Sequence, residues 1–189
     1  MKTFKQIRIS GFGGQGIILA GAILGHAAAG EGKSVAGSSS YGAQARGGYT
    51  RSDILISDKP IVFPHVIESD ILIAMSQAAY DKYREDAAQG SVIFFDEQYV
   101  SCREINEVRQ IGIPSTSCAI SQTGKKQVAN IVMLCAVASA TEIVSKESLL
   151  WAISENVDKR YLELNRKSAD TGFALGEERW RFSEERTGL

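Results

Sequence analysis

The sequence predicts an α/β fold of the Rossmann-like, three-layer kind, with a mostly parallel sheet and a helical C-terminal part. Apolar strand-like runs alternate with helical segments, and a glycine turn joins the first strand to the first helix. The 189 residues, 44% hydrophobic with a net charge of −1, suffice for one domain with a real core. We expect a single domain over residues 1–176 and a charged tail over 177–189.

The first half of the chain predicts four strands and one helix. A buried strand at Ile7–Ser10 precedes a buried helix at Gly16–Gly30, and a second strand follows near residues 34–36. Alternation over Tyr49–Ser57 predicts a strand that is an edge strand or runs antiparallel. Ile61–Phe63 predicts a short strand.

The second half predicts a sheet centre followed by helices. The continuous apolar run Ile71–Met75 is typical of a central parallel strand, and Ser91–Asp96 predicts its buried neighbour. A polar surface helix is expected between them at Gln77–Gln89, and a short extended piece at Ile111–Ile113. Three closing helices are expected at about Ser121–Ala140, from the N-cap Ser145 onward, and over Arg160–Leu175.

The first glycine loop is the most informative stretch, and its members are Gly11, Phe12, Gly13, Gly14, Gln15 and Gly16. Glycines here permit a tight turn, a close approach to the backbone and close packing of helix on strand. The spacing also fits the dinucleotide fingerprint, which requires an acidic residue about 20 residues on, at the end of the second strand. Ser38–Tyr41 stands there instead. NAD or FAD binding is therefore disfavoured, although a free-standing nucleotide-binding Rossmann protein, with or without turnover, remains an alternative.

A second loop follows the second strand and is as distinctive as the first. Its hydroxyls, amide, fixed cation and flexible backbone come from Ser40, Tyr41, Gln44, Arg46, Gly47 and Gly48. In a parallel sheet both loops leave the carboxyl ends of neighbouring strands, so they can share one edge. Twelve of the eighteen glycines lie between residues 11 and 48, where charges are scarce. Such a segment is expected to be either buried in the domain or pressed against another molecule, which gives a first indication of a partner surface.

Catalytic and metal-binding patterns are missing from the sequence. The three cysteines, Cys102, Cys118 and Cys135, are far apart and form no CxxC or cluster spacing. His26 and His65 do not form a pair, and no HExxH, GxSxG or P-loop motif occurs. We therefore expect no catalytic residue and no metal site in this chain. Balanced charge disfavours nucleic acid, and no apolar run is long enough to span a membrane, so a cytoplasmic protein is expected.

The two loops together resemble the gamma subunit of 2-oxoacid:ferredoxin (acceptor) oxidoreductases. The resemblance rests on Gly11–Ile17 and Ser40–Gly48, and it continues in Val128–Leu134, Val144–Leu149 and Leu164-Asn165. It covers about residues 5 to 176. The Ser-Tyr-Gly before Arg-Gly-Gly looks more like the 2-oxoglutarate type than the pyruvate type. At the loop position where such relatives often carry Pro-Glu, this chain has Ala43-Gln44.

The resemblance implies a division of labour among subunits. Such enzymes (the EC 1.2.7 type) decarboxylate a 2-oxoacid on thiamine diphosphate with Mg, pass electrons through iron–sulfur clusters to ferredoxin, and form an acyl-coenzyme A. Alpha, beta and in some complexes delta subunits would hold the cofactors, and coenzyme A would be a co-substrate of the complex. The two loops of this chain would face the alpha subunit. The small subunit of an indolepyruvate oxidoreductase is the nearest alternative.

Overall fold

A computed structural model describes residues 4–41 and 49–187, whose strands form one six-stranded sheet. The strands are β1 (Phe4–Phe12), β2 (Ser34–Tyr41), β3 (Tyr49–Ser57), β4 (Ser69–Ala74), β5 (Ala87–Asp96) and β6 (Arg109–Ile113). They lie in the order β2-β3-β1-β4-β5-β6. β1, β4, β5 and β6 run parallel, whereas β3 is antiparallel to both β1 and β2. The predicted α/β class with a mostly parallel sheet is confirmed.

Helices cover both faces of the sheet, but unequally. They are α1 (Ile17–Gly30), α2 (Gln77–Tyr83), α3 (Ser115–Thr123), α4 (Ala129–Thr141), α5 (Lys146–Asn156) and α6 (Leu162–Thr187). The larger core joins the sheet to α1, α4, α5 and α6, while α2 and the coil after β5 cover the other face. Within the described part of the chain, no helix combines the length and apolar character that a membrane span requires.

Helix α4 is the centre of the larger core. Almost all of its side chains are buried, and it packs most extensively against α6. The two helices approach closely because Gly172 and Gly176 of α6 face the backbone of α4, where a Cβ would collide with the carbonyl oxygens of Val132 and Ala136. The sequence predicted that the last helix ends just before Gly176. Helix α6 instead continues through Gly176, because this glycine allows close packing against α4. The residues predicted to be a charged tail continue α6 to Thr187, and Trp180 packs against the core.

Three other predicted elements also differ from the structure. The helix expected over Gln77–Gln89 ends at Tyr83, because residues from Ala87 onward pair with β4 as part of β5. The long helix expected from Ser121 is divided into α3 and α4, since Gly124 adopts a left-handed conformation with φ of 69°. No strand forms at Ile61–Phe63, which lies between two prolines that cannot donate backbone hydrogen bonds.

A buried ion cluster joins β1 to its neighbour β3 and to the turn before β5. The guanidinium of Arg8 on β1 donates from Nε to Asp53 Oδ1 at 2.9 Å and from Nη1 to Asp86 Oδ2 at 2.7 Å. It also donates to the carbonyl of Val66 and lies 4.9 Å from the ring centroid of Tyr83. Burial opposes the charge of Arg8, but these carboxylates outweigh it and raise its pKa. The charged form of Arg8 is therefore kept inside the fold.

Asp53→Asn is expected to destabilise the chain strongly, since Arg8 would lose a buried partner. Breaking one side of a buried ion pair typically costs about 3–5 kcal/mol, which would lower Tm by roughly 10 °C for a chain of this size. Thermal unfolding followed by circular dichroism measures the change. Asp58→Asn is the matched control, because it removes the solvent-exposed partner of Lys33 and should change Tm far less. Equal losses in the two variants would contradict the structural role of the buried cluster.

Candidate functional site

The first glycine loop lies between β1 and α1 at the carboxyl edge of the sheet, and the side chain of Gln15 holds it in place. Gln15 Oε1 accepts from the backbone N–H of Phe12 at 2.6 Å, and its Nε2 donates to the carbonyl of Met75 at 2.8 Å. A Cβ on Gly11 would collide with Gln15 Oε1, so this position needs glycine. Gln15 therefore fixes the loop to the end of β4, leaving Gly14 facing open space and Gly13 with only Thr50 Oγ1 beside it.

Asn130 of α4 fixes the end of the same loop. Its Nδ2 donates to the carbonyl of Gly16 at 3.1 Å, and that carbonyl also accepts from the N–H of Ala20, which starts α1. Gly16 adopts a left-handed conformation with φ of 71°, and a Cβ there would collide with the amide of Asn130. The loop is thus clamped between the sheet and the central helix.

The second loop is bracketed by residues that lie at this same edge. Tyr41 ends β2 opposite Thr50, and Tyr49 begins β3 opposite Phe12, the last residue of β1. The sequence predicted that the strands before the two loops are neighbours. This prediction is wrong, because β3 lies between β1 and β2. Their carboxyl ends nevertheless share one edge, roughly 10 Å apart across two strand spacings. Ser40 is exposed near this edge. Of the other predicted site residues, four lie outside the described residues: Gln44, Arg46, Gly47 and Gly48.

A cavity of about 420 Å³ opens beside the first loop. One side is formed by the loop itself, and the opposite side by the start of α3 and the turn before α4. Its lining residues are Phe12, Gly13, Gly14, Gln15, Met75, Tyr99, Thr116, Lys126, Gln127 and Ala129. Lys126 supplies a cation here, whereas Lys125 points elsewhere and stacks 5.4 Å from the ring centroid of Tyr161. The cavity therefore combines free glycine backbone, one cation and polar side chains.

Asp96, at the end of β5, shapes the far wall of this cavity. Its carboxylate is fully buried and accepts from the N–H of Thr116 at 3.0 Å, the hydroxyl of Thr116 at 2.6 Å and the hydroxyl of Ser115 at 2.5 Å. Its other oxygen accepts from the N–H of Gln98. Because these donors surround the carboxylate, Asp96 holds the start of α3 in place and is not presented to a ligand.

Exposed aromatic side chains surround the two loops. Among the described residues, four lie at this edge with between about two fifths and three quarters of their surface accessible: Phe12, Tyr41, Tyr49 and Tyr99. The ammonium group of Lys82 lies 4.6 Å from the ring centroid of Tyr49. Exposed aromatic residues are enriched at protein interfaces, where they supply much of the binding energy. The edge therefore has the composition of a contact surface.

Other reactive side chains are not brought together. His26 is exposed on α1 and its Nδ1 lies 2.8 Å from the amide of Asn156, while His65 makes an edge contact with the ring of Phe63. The three cysteines are separate, and burial raises the pKa of the Cys135 thiol, which keeps it protonated. In residues 4–41 and 49–187, no three His, Cys, Asp or Glu side chains are grouped to hold a metal ion.

The sequence interpretation missed several residues that form this site. Thr116, Tyr99 and Gln127 come from the start of α3, the turn after β5 and the turn before α4, and no local pattern connects them to the glycines. Asn130 left a signal, because it is the one polar side chain within the apolar run from Val128 to Val137. A polar residue buried in such a run must find a hydrogen-bond partner, which here is the loop carbonyl of Gly16.

Gly16→Ala is expected to destabilise the chain more than Gly14→Ala, although both glycines have positive φ. A left-handed alanine costs about 1–2 kcal/mol at either position, but only at residue 16 does the added methyl group also meet Asn130. Urea unfolding of each variant measures the difference. Asn130→Ala should recover part of the loss when it is combined with Gly16→Ala. A double variant that is no more stable than Gly16→Ala alone would contradict the clamp.

Comparison with known proteins gives a consistent result. The sequence model of the family described as pyruvate ferredoxin/flavodoxin oxidoreductase matches residues 6–175. The chain is 48% identical over 181 residues to 2-oxoglutarate synthase subunit KorC of Methanocaldococcus jannaschii, covering 94% of this chain and 97% of that protein. It is 40% identical over 178 residues to KorC of Methanothermobacter thermautotrophicus, covering 90% and 94%.

A solved structure agrees with this relationship. The keto/oxoacid ferredoxin oxidoreductase gamma subunit from Geobacter sulfurreducens superimposes with a TM-score of 0.84 at 37% identity, covering 93% of this chain and 98% of that chain. The family match extends over nearly all of the described fold, including the glycine loop and its clamp. The chain therefore belongs to the pyruvate ferredoxin/flavodoxin oxidoreductase family.

Proposed function

We propose that this chain is the gamma subunit of a heteromeric 2-oxoacid:ferredoxin oxidoreductase, and that its carboxyl edge contacts the catalytic subunits. One observation carries the proposal: the glycine loop, the end of β2 and the start of β3 meet at one edge among exposed aromatic side chains. The described residues at that edge include no nucleophile–base pair and no metal-ligand group. An edge that is built for contact, and whose described residues hold no catalytic set, suits a subunit of a larger enzyme.

The geometry of the glycine loop supports a role in contact. Gln15 and Asn130 fix both ends of the loop, so little conformational entropy would be lost when a partner binds it. Gly13 and Gly14 carry no side chain, so the backbone of a partner or a ligand can approach closely. The neighbouring aromatic residues would provide the buried area that stabilises such a contact.

The cofactor chemistry belongs, in this proposal, to the other subunits. The separate cysteines do not form an iron–sulfur ligand set, so the described residues do not fit a cluster. Thiamine diphosphate, Mg and the clusters are assigned to the partner subunits, and ferredoxin to the assembled complex as electron acceptor. Coenzyme A is assigned as co-substrate of the complex. The cavity with Lys126 is the part of this chain that could approach its anionic groups.

The substrate we propose is 2-oxoglutarate. The two relatives compared above are both 2-oxoglutarate synthase subunits, and the higher identity of 48% extends over almost the full length of both chains. The Ser-Tyr-Gly and Arg-Gly-Gly segments favour the same substrate type. An indolepyruvate oxidoreductase differs in substrate and is distinguished by the same assay.

Co-purification of the native protein tests the proposal. The chain should elute with subunits that contain thiamine diphosphate and iron–sulfur clusters, and the eluate should reduce a viologen dye when 2-oxoglutarate and coenzyme A are both added. A panel of 2-oxoacids, including pyruvate and indolepyruvate, identifies the preferred substrate. Elution of the chain alone, with a bound nucleotide, would contradict the proposal and favour a free-standing Rossmann protein.

Tyr41→Ala is expected to weaken assembly with the catalytic subunits by about 30-fold in Kd, a loss typical of an aromatic side chain at the centre of an interface. Titration calorimetry with the catalytic subunits measures the affinity. Phe182→Ala is the control, because Phe182 is also an exposed aromatic residue but lies on α6, away from the carboxyl edge. Equal affinities for the two variants would show that the carboxyl edge is not the contact surface.

Arg46→Ala tests the second loop. We expect this variant to lower the activity or assembly of the complex while the thermal unfolding of the chain alone is unchanged, because the sequence marks Arg46 as a cation for a partner or ligand. The viologen assay on the reconstituted complex measures the effect. Full activity would remove Arg46 from the site.

A further inference from the structure

The outer strand β2 lacks the features that normally protect the edge of a sheet. It is eight residues long and pairs with β3 without a bulge, from Ser34 opposite Ser57 to Tyr41 opposite Thr50. Its sequence contains no charged residue and no proline, and the stretch from Gly37 to Tyr41 is exposed. Long, flat and uncharged edges are rare in natural proteins because they pair readily with another strand.

The opposite edge of the same sheet shows how this protein protects a strand. β6 has only five residues and begins at Arg109, whose guanidinium lies 4.6 Å from the ring centroid of Trp180 on α6. Farther along β6, the carbonyl of Ile113 accepts from the N–H of Glu97, whose side chain forms an ion pair of 3.0 Å with Arg179 of α6. One edge is therefore short, charged and covered by a helix, whereas the other is long and uncharged, and no other element among the described residues covers it.

The bare edge is continuous with the surface assigned to the catalytic subunits. β2 ends at Tyr41, an aromatic residue 72% exposed at the carboxyl edge. A partner that covers Tyr41 is therefore placed directly beside the unpaired backbone of the preceding residues. A second copy of the chain is the other candidate for pairing with β2. Continuity with the proposed interface favours the catalytic subunit as the occupant.

We propose that an extended, uncharged segment of a catalytic subunit adds to β2 as a seventh strand of the sheet. This inference rests on the proposed function. Unpaired N–H and C=O groups of β2 would supply the backbone hydrogen bonds, as in other cases of strand addition. The side chains of β2 are small on both faces, with Ala36 and Ser38 on one face and Gly37 and Ser39 on the other. The added strand therefore has room for large apolar or aromatic side chains over these positions.

Two neighbouring proline variants, Ser38→Pro and Ser39→Pro, test the added strand. Successive N–H groups of a strand point in opposite directions, so one of these two donates toward β3 and the other points outward. Proline is tolerated only where the N–H points outward. We expect one variant to lose thermal stability, and the other to keep its fold but bind the co-expressed catalytic subunits at least tenfold more weakly. Ser38→Ala and Ser39→Ala are the matched controls and should bind normally.

Hydrogen exchange gives a second readout that needs no substitution. Outward amides between residues 35 and 41 should exchange at least tenfold more slowly in the complex than in the free chain. Unchanged exchange, or normal binding by the folded proline variant, would overturn the added strand and leave the proposed function standing. The proposed function itself fails only if the wild-type chain does not assemble. A dimer of the free chain that the folded proline variant abolishes would place a second copy on the edge, and would also overturn the inference.

Discussion

The burial of α4 is the constraint on which the rest of the structure depends. This helix touches the sheet, α1, α3, α5 and α6, so its position sets the spacing of the whole larger core. Because it is enclosed on all sides, its single amide, Asn130, must find a partner inside the fold, and it finds one in the carbonyl of Gly16. This hydrogen bond joins the hydrophobic core to the candidate site at one end of the loop, and the bond from Gln15 to the carbonyl of Met75 joins them at the other. Both ends of the loop are therefore held by the core.

Much of the fold could be predicted from the sequence, and the errors have physical reasons. The central strands were found because parallel strands that are buried on both faces are continuously apolar, as at Ile71–Met75. Helix ends were less certain, because glycine can either terminate a helix or allow close packing. Gly124 does the first and Gly176 does the second, and only the position of α4 distinguishes the two roles. The strand predicted at residues 61–63 does not form, and the prolines on either side of it were the evidence in the sequence against it.

The candidate site was predicted in part. The glycines and Gln15 follow a spacing that the sequence displays, and the family that they indicate is confirmed. The cavity opposite them is formed by Thr116 and Lys126, which are far away along the chain, and no sequence pattern joins such residues to the loop. The sequence alone does not assign a role to Asp96, because a carboxylate at a strand end can bind a ligand or hold a turn. Its surrounding donors show that it holds a turn.

The long helix α6 has a consequence for how this chain can be joined to others. Its 26 residues, about 39 Å in length, carry the backbone away from the turn before α4 to the amino edge of the sheet, where Trp180 lies near Lys5 of β1. Phe4 and Thr187, which bound the described residues, therefore both lie far from the glycine loop. A covalent linker or a fused domain attached at either place would leave the glycine edge clear. Such an architecture permits tethering to another subunit without rebuilding the contact surface.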